Sequence, residues 1–256
     1  MSALIRALLF LPLLLFTPLH SRGGIMEQTV TEELSGDLSP EASIVVENVN
    51  GQILLIPGTD DRYRIEITKK SRTAENLELM EVRHDIDYDR LELKVHLPKK
   101  KGWFSFSQIQ GSVELVITVP ASVSLDDIRT VNGSVELSGF TNQINASSVN
   151  GRINAKNLSG SAQLGTVNGT INTVFADLSD DDKVSIESVN GGITLRFPES
   201  LNADLRTSVV NGRVQCDFPI TLDDDASPRK LRGRIGEGGA EIKVSTVNGS
   251  ISVRQI

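Results

Sequence analysis

The chain has one cysteine, Cys216, so it can form no internal disulfide, and its 256 residues depend on a hydrophobic core. Histidine is scarce: His20, His84 and His96 are isolated, which leaves no Ser/His/Asp set to assemble. No Gly-x-Ser-x-Gly elbow occurs, and no Lys-Ser/Thr follows the glycines of Gly236–Gly239, which removes a nucleophile elbow and a phosphate cradle. Eleven aromatic residues are too few for the girdles of an outer-membrane barrel. The strand-like segments are also short, about six residues against the roughly 9–11 needed to cross a bilayer. Positive charge is in deficit. Outside the first 24 residues, 24 basic residues face 33 acidic ones, a net charge of −9 that repels phosphate backbones and excludes nucleic acid as a partner.

The longest apolar run is near the amino terminus. Arg6 precedes Ala7–Phe16, ten residues broken only by Pro12, and a polar "TPLHSRGG" follows. This is the layout of a secretory signal peptide, and the run is too short to span a membrane. We expect residues 1–24 to be removed, with cleavage between Ser21 and Gly24, and an exported protein of the periplasm, outer envelope or exterior.

What the chain has in abundance is one tripeptide. Val-Asn-Gly occurs seven times, with its valines at Val49, Val131, Val149, Val167, Val189, Val210 and Val247. The middle spacings are 18, 18, 22 and 21 residues, and the last gap, 37, is close to two periods. "IQGSVEL" (Ile109–Leu115) reads as a worn copy of "VNGSVEL" (Val131–Leu137). A fixed period of this size marks a repeat architecture.

Each copy shares a local pattern. A β-branched residue stands two places after the glycine (Ile53, Val135, Ile153, Ile171, Ile193, Val214, Ile251). Two places further come Leu55, Leu137, Ala155, Thr173, Leu195, Cys216 and Val253. This period-2 pattern is that of a strand with one buried face, and it places Cys216 in the core. The valine of each tripeptide is expected to point inward as well. The pairs Asn50–Gly51, Asn132–Gly133, Asn150–Gly151, Asn168–Gly169, Asn190–Gly191, Asn211–Gly212 and Asn248–Gly249 are structural turns, with positive φ at the glycine. A polar "LSG"-like bend closes each unit.

The predicted fold is therefore all-β: a solenoid-like stack, a parallel β-helix or β-roll, of units of about 18–22 residues. Like-on-like stacking favours this arrangement because it rewards identical small side chains and asparagine ladders. An antiparallel hairpin-repeat sandwich with type I′ turns is the alternative. Residues 25–256 form a single exported repeat domain, with irregular lead-in strands over 42–120 and regular repeats over 121–256. "SRTAENLELMEV" begins a short helix capped by Ser71 or Thr73, and Pro219–Lys230 is expected to be a long exposed loop.

With a signal peptide, several "VNGxI" repeats, a "VP" closing a strand at Val119–Pro120 and the ending "GRIGEGGAEIKVSTVNGSISV", the chain resembles the bacterial putative-adhesin family of β-strand-repeat domains of unknown function. The resemblance covers roughly Ser43–Val253. It implies an exported, all-β envelope protein and supplies no catalytic residues.

Chemistry-bearing groups are sparse. Asp85, Asp87 and Asp89 alternate on one strand face opposite His84, Ile86 and Tyr88, and Asp180–Asp182 and Asp223–Asp225 are read as solvated loops. None has the six to eight oxygens on a flexible loop that calcium takes. We expect no metal, no cofactor and no catalytic residue. One segment stands apart: Lys99, Lys100 and Lys101 precede Trp103 and Phe104. Such a loop can touch an anionic membrane surface or stack on sugar rings, or it can cap a sheet end with lysines guarding the edge. The function expected is a non-catalytic adhesin, binding protein or scaffold that displays a Ser/Thr/Asn surface to an extended glycan or protein. The alternatives are a β-helical enzyme acting on polysaccharide and a periplasmic accessory of envelope-stress signalling.

Overall fold

The structure, a computed structural model, describes residues 27–97, 110–223 and 227–256. The chain enters through β1 (Gln28–Asp37), β2 (Ser43–Asn50), β3 (Ile53–Gly58) and β4 (Arg62–Ser71). Helix α1 (Ala74–Glu78), β5 (Glu81–Asp87), β6 (Arg90–His96) and β7 (Gly111–Pro120) follow. The chain then alternates between two sheets: β8 (Ser124–Asn132) and β9 (Val135–Ser138), β10 (Ile144–Asn150) and β11 (Ile153–Ser159), β12 (Ala162–Asn168) and β13 (Ile171–Asp177). The same alternation continues through β14 (Lys183–Asn190) and β15 (Ile193–Phe197), then β16 (Ala203–Asn211) and β17 (Val214–Cys216). Strands β18 (Ile220–Leu222) and β19 (Lys230–Ile235) precede a last pair, β20 (Ala240–Asn248) and β21 (Ile251–Gln255).

The first sheet runs β1-β4-β7-β3-β9-β11-β13-β15-β21-β17 and the second β18-β19-β16-β20-β14-β12-β10-β8-β2-β6-β5. Pairing between successive repeats is parallel and in register: Asn132 lies beside Asn150, Asn150 beside Asn168 and Asn168 beside Asn190. This is the solenoid, and the hairpin-repeat alternative is excluded. Among the described residues, antiparallel strand pairing occurs only toward the two ends, in β1–β4–β7, in β5–β6 and in β16–β19–β18.

The core lies between the sheets. Ile53, Val135, Ile153, Ile171, Ile193 and Ile251 are buried, and Leu55, Leu137, Ala155, Thr173, Leu195 and Val253 are buried behind them. Phe175 and Phe197 stack with ring centroids 5.0 Å apart, extending the ladder with aromatic rungs. Cys216 holds the register predicted for it, opposite Val253, yet it is only half-buried. The reason is that β17 is the last strand of its sheet. Thr73 rather than Ser71 caps α1: its extended backbone and Oγ1, which accepts from the Asn76 amide at 3.3 Å, start the helix, while Ser71 ends β4.

The structure corrects three readings of the repeat. The 37-residue gap holds no lost copy. After β17 the chain leaves the stack, forms β18 and β19, turns at Gly236–Gly239 and returns as β20, which lies between β14 and β16. β21 lies likewise between β15 and β17. The last copy in sequence is thus the last but one in space. Second, Pro219–Lys230 is not one loop, since Ile220–Leu222 pairs with β19. Third, the worn copy is offset by two residues: Ile53 faces both Val135 and Leu115, whereas the sequence alignment would place Val113 there. A shift of two keeps each side chain on its face.

Candidate functional site

The repeated corner is built from four residue types, each with its own task. The hydroxyl residue before the valine (Thr130, Ser148, Thr166, Ser188, Thr246) is buried, 3–5% exposed. Its hydroxyl donates to the glycine carbonyl of the neighbouring coil: Ser148 to Gly133 at 2.9 Å, Thr166 to Gly151 at 3.0 Å, Ser188 to Gly169 at 3.3 Å and Thr246 to Gly191 at 3.0 Å. A buried hydroxyl is tolerable because this bond satisfies it. In the first coil Asn48 takes this place, donating to the Val113 carbonyl at 2.7 Å.

The asparagines form one continuous chain of side-chain hydrogen bonds. Each Nδ2 donates to the Oδ1 of the next coil: Asn132 to Asn50, Asn150 to Asn132, Asn168 to Asn150, Asn190 to Asn168, Asn248 to Asn190 and Asn211 to Asn248, all at 2.8–2.9 Å. Asn50 ends the chain on the Gly111 carbonyl at 3.2 Å. In-register parallel stacking makes this possible, because an amide has a donor and an acceptor to offer in opposite directions along the axis.

The glycines serve close approach rather than left-handed backbone. Of the seven, only Gly51 has positive φ, at 121°. At Gly133, Gly151, Gly169, Gly191, Gly212 and Gly249 a Cβ would collide with the carbonyl of the adjacent glycine. The left-handed glycines include the opposite bend, at Gly139 (φ 76°) and Gly160 (φ 88°), the "LSG" positions.

The valine is the second correction at this corner. Val131, Val149, Val167, Val189 and Val247 are 40–41% exposed and Val210 is 56% exposed. Strand alternation gives the reason: Ala162, Leu164 and Thr166 fill the inner face of β12, so Val167 faces out. The buried Leu164 two places before Thr166 was a signal available in the sequence. The result is a straight apolar row on the outer face of the second sheet, beside the asparagine ladder.

Two further rows run parallel to it on that face. In register are Arg129, Ser147, Gly165, Glu187, Ser245 and Ser208, and beyond them Asn145, Gln163, Ser185, Lys243 and Arg206. Charge on this face is concentrated toward the ends. Arg129 pairs with Glu47 at 2.6 Å and Asp127 at 3.2 Å, and Arg206 pairs with Glu241 at 3.2 Å. The Glu47 carboxylate raises the Arg129 guanidinium above its usual value. On β6, hydrogen bonds from Lys94 and Arg90 hold the Glu92 carboxyl below its usual range.

The acidic segments are structural where they are described. Asp182 closes its own turn by accepting from the Ser179 amide at 2.7 Å and from the Ser161 hydroxyl at 3.2 Å. His84, Asp85 and Asp87 are exposed on β5. Among the described residues no three His, Cys, Asp or Glu side chains gather as metal ligands. Lys99, Lys100, Lys101, Trp103 and Phe104 lie outside the described residues, as does the segment 1–24.

The Toastrack DUF4097 family model matches residues 127–254. Among solved structures, a putative cell adhesion protein from Clostridium sporogenes ATCC 15579 is similar at TM-score 0.51 and 15% identity, covering 88% of this chain and 100% of that one. A putative adhesin from Bacteroides fragilis NCTC 9343 aligns at TM-score 0.34 and 12% identity, over 88% of this chain and 97% of that one. No curated protein matches the chain. The matched half contains six of the seven Val-Asn-Gly corners, including the stacked glycines, the hydroxyl rungs and most of the asparagine ladder just described, and on that match the chain belongs to the Toastrack DUF4097 family.

Proposed function

We propose that this chain is a non-catalytic, exported protein of the cell envelope that holds an extended partner, glycan or protein, along the outer face of its second sheet. The observation that carries this reading is the row of six valines left 40–56% exposed in line with a hydrogen-bonded asparagine ladder. The core is already filled without these valines, and a contiguous apolar row on a polar surface is a feature of interaction sites. Solenoids offer such surfaces because equivalent side chains repeat at every coil, so many weak contacts add along one partner. The segment 1–24 supports an envelope location, and the fold is shared with the putative cell adhesion protein from C. sporogenes.

The test has two parts. Cell fractionation should place the chain in the envelope or outside the cell. The purified chain should sediment with isolated envelope fragments, and a triple change of Val149, Val167 and Val189 to Ser should release it while leaving the far-ultraviolet circular dichroism intact. A cytosolic chain, or one that never sediments with envelope, overturns the reading.

A further inference from the structure

Gly165, in the repeat region, has no structural reason to be glycine. Gly165 lies in the middle of β12, outside the left-handed region, and a Cβ built on it would meet nothing within 4 Å. Neither backbone geometry nor packing demands it, and glycine in a strand interior weakens the strand relative to alanine. Such a residue often marks a place where a ligand approaches the sheet closely.

Gly165 forms the floor of a groove of about 330 Å³ on the outer face, between Ser147 and Glu187 on one row and beside Asn145, Gln163 and Ser185 on the next. This volume lies at the lower end of the range for small-ligand sites. Among the described residues, the side chains of Ser147, Gln163, Ser185 and Glu187 make no hydrogen bond or ion pair to protein. Four polar groups from three adjacent strands thus converge on one depression with their bonding capacity uncommitted. The carboxylate of Asp127, at one end, is neutralised by Arg129.

We propose that this groove is a binding subsite for a neutral, linear polysaccharide lying along the solenoid axis. The proposal rests on the binding reading above and gives it a ligand class. Hydroxyls and a carboxamide that both donate and accept, with a carboxylate acceptor, complement vicinal sugar hydroxyls. The Glu187 carboxylate disfavours an anionic chain. A peptide strand is the poorer occupant, because β12 is already paired on both edges, with β10 and β14, and has no free backbone groups to add a strand to. The valine row two residues along each strand supplies an apolar ledge for the C–H faces of sugar rings, and the strand spacing of about 4.8 Å is close to the advance of one ring in a linear chain.

The experiment is calorimetric titration of the full chain with cellohexaose, chitohexaose, mannohexaose and xylohexaose, each alone. At least one should bind. Gly165→Val, which fills the floor, should weaken that binding at least tenfold with an unchanged or higher melting temperature. Gln163→Ala, which leaves the backbone untouched, should weaken it several-fold. If wild type binds a hexasaccharide and both variants bind equally well, the groove is the wrong site and the broader binding reading stands. If wild type binds none of the four, the polysaccharide inference is overturned. The broader reading is decided separately, by the fractionation and envelope sedimentation above.

Discussion

A Cβ atom placed on Gly169 would stand 2.6 Å from the carbonyl carbon of Gly151 and closer still to its oxygen. Cβ atoms are essentially never found within 3.0 Å of another heavy atom, so the two corners can stack only if residue 169 carries no side chain. Four residues upstream on the same coil, Gly165 has open space. Gly169→Ala should therefore destabilise the protein by about 1–3 kcal/mol through overpacking. Gly165→Ala should be neutral or stabilise it by up to about 1 kcal/mol through the unfolded state. Urea denaturation compares the two, and equal losses would refute the stacking explanation.

The hydroxyl rungs can be tested in both directions. Thr166→Val removes the donor to the Gly151 carbonyl, and leaving that group without its partner should cost about 1–3 kcal/mol. Val209 occupies the equivalent place opposite Thr246 in the terminal coil, where no hydroxyl is present. Val209→Thr should restore the rung to the Gly249 carbonyl and add about 0.5–1.5 kcal/mol. A Val209→Thr protein that melts below wild type would show that the rung geometry does not extend to the last coil.

Position along the asparagine ladder should set the cost of breaking it. Asn168 both donates to Asn150 and accepts from Asn190, while Asn211 only donates, to Asn248. At about 0.5–1.5 kcal/mol for each bond, Asn168→Ala should cost roughly twice what Asn211→Ala does. Thermal melts of the two single variants decide this, and an equal or reversed order would mean that the ladder contributes little.

Cys216 supplies a pH-dependent prediction. Burial raises its thiol above the ordinary 9.0, because the thiolate would lose solvation. Iodoacetamide should therefore label the native protein more slowly than the urea-unfolded chain at pH 8. The folded-state value lies above the unfolded one, so this group favours the folded state below pH 9.0 and loses that contribution as pH rises through the folded value. Labelling of the native chain at the unfolded rate would contradict the burial.

The C-terminal coil should be indispensable. β20 is paired on both edges, with β14 and β16, and carries Asn248 between Asn190 and Asn211. Truncation after Gly239 removes β20 and β21 and leaves β16 and β17 without parallel partners. Hydrogen exchange should then show residues 203–235 unprotected, while the coils of residues 124–177 retain protection. Full protection of residues 203–235 would mean that this region is held by other contacts.

Much of the architecture was legible in the chain. The Val-Asn-Gly period, with β-branched residues two places later, identified a stacked strand unit and its inner face, because burial on one face of a strand imposes a period of two that is visible in any single copy. Identical corners also pointed to in-register stacking, which the asparagine ladder embodies. Other properties were set by neighbours distant in sequence. Asn-Gly alone cannot distinguish a left-handed turn from a close approach of two backbones, since glycine serves both, and only the carbonyl of Gly151 against Gly169 separates them. The outward aim of Val167 follows from Leu164 and Thr166 taking the inner face. The order of the last coils was beyond local sequence altogether: Asn248 bonds to both Asn190 and Asn211 because the β18–β19 excursion lets β20 return between them. Sequence by itself determined the repeating unit, through the alternation and the small residues that each corner requires. Tertiary structure alone decided which unit stacks on which and what faces solvent, because those depend on contacts between strands that the chain's linear order does not specify.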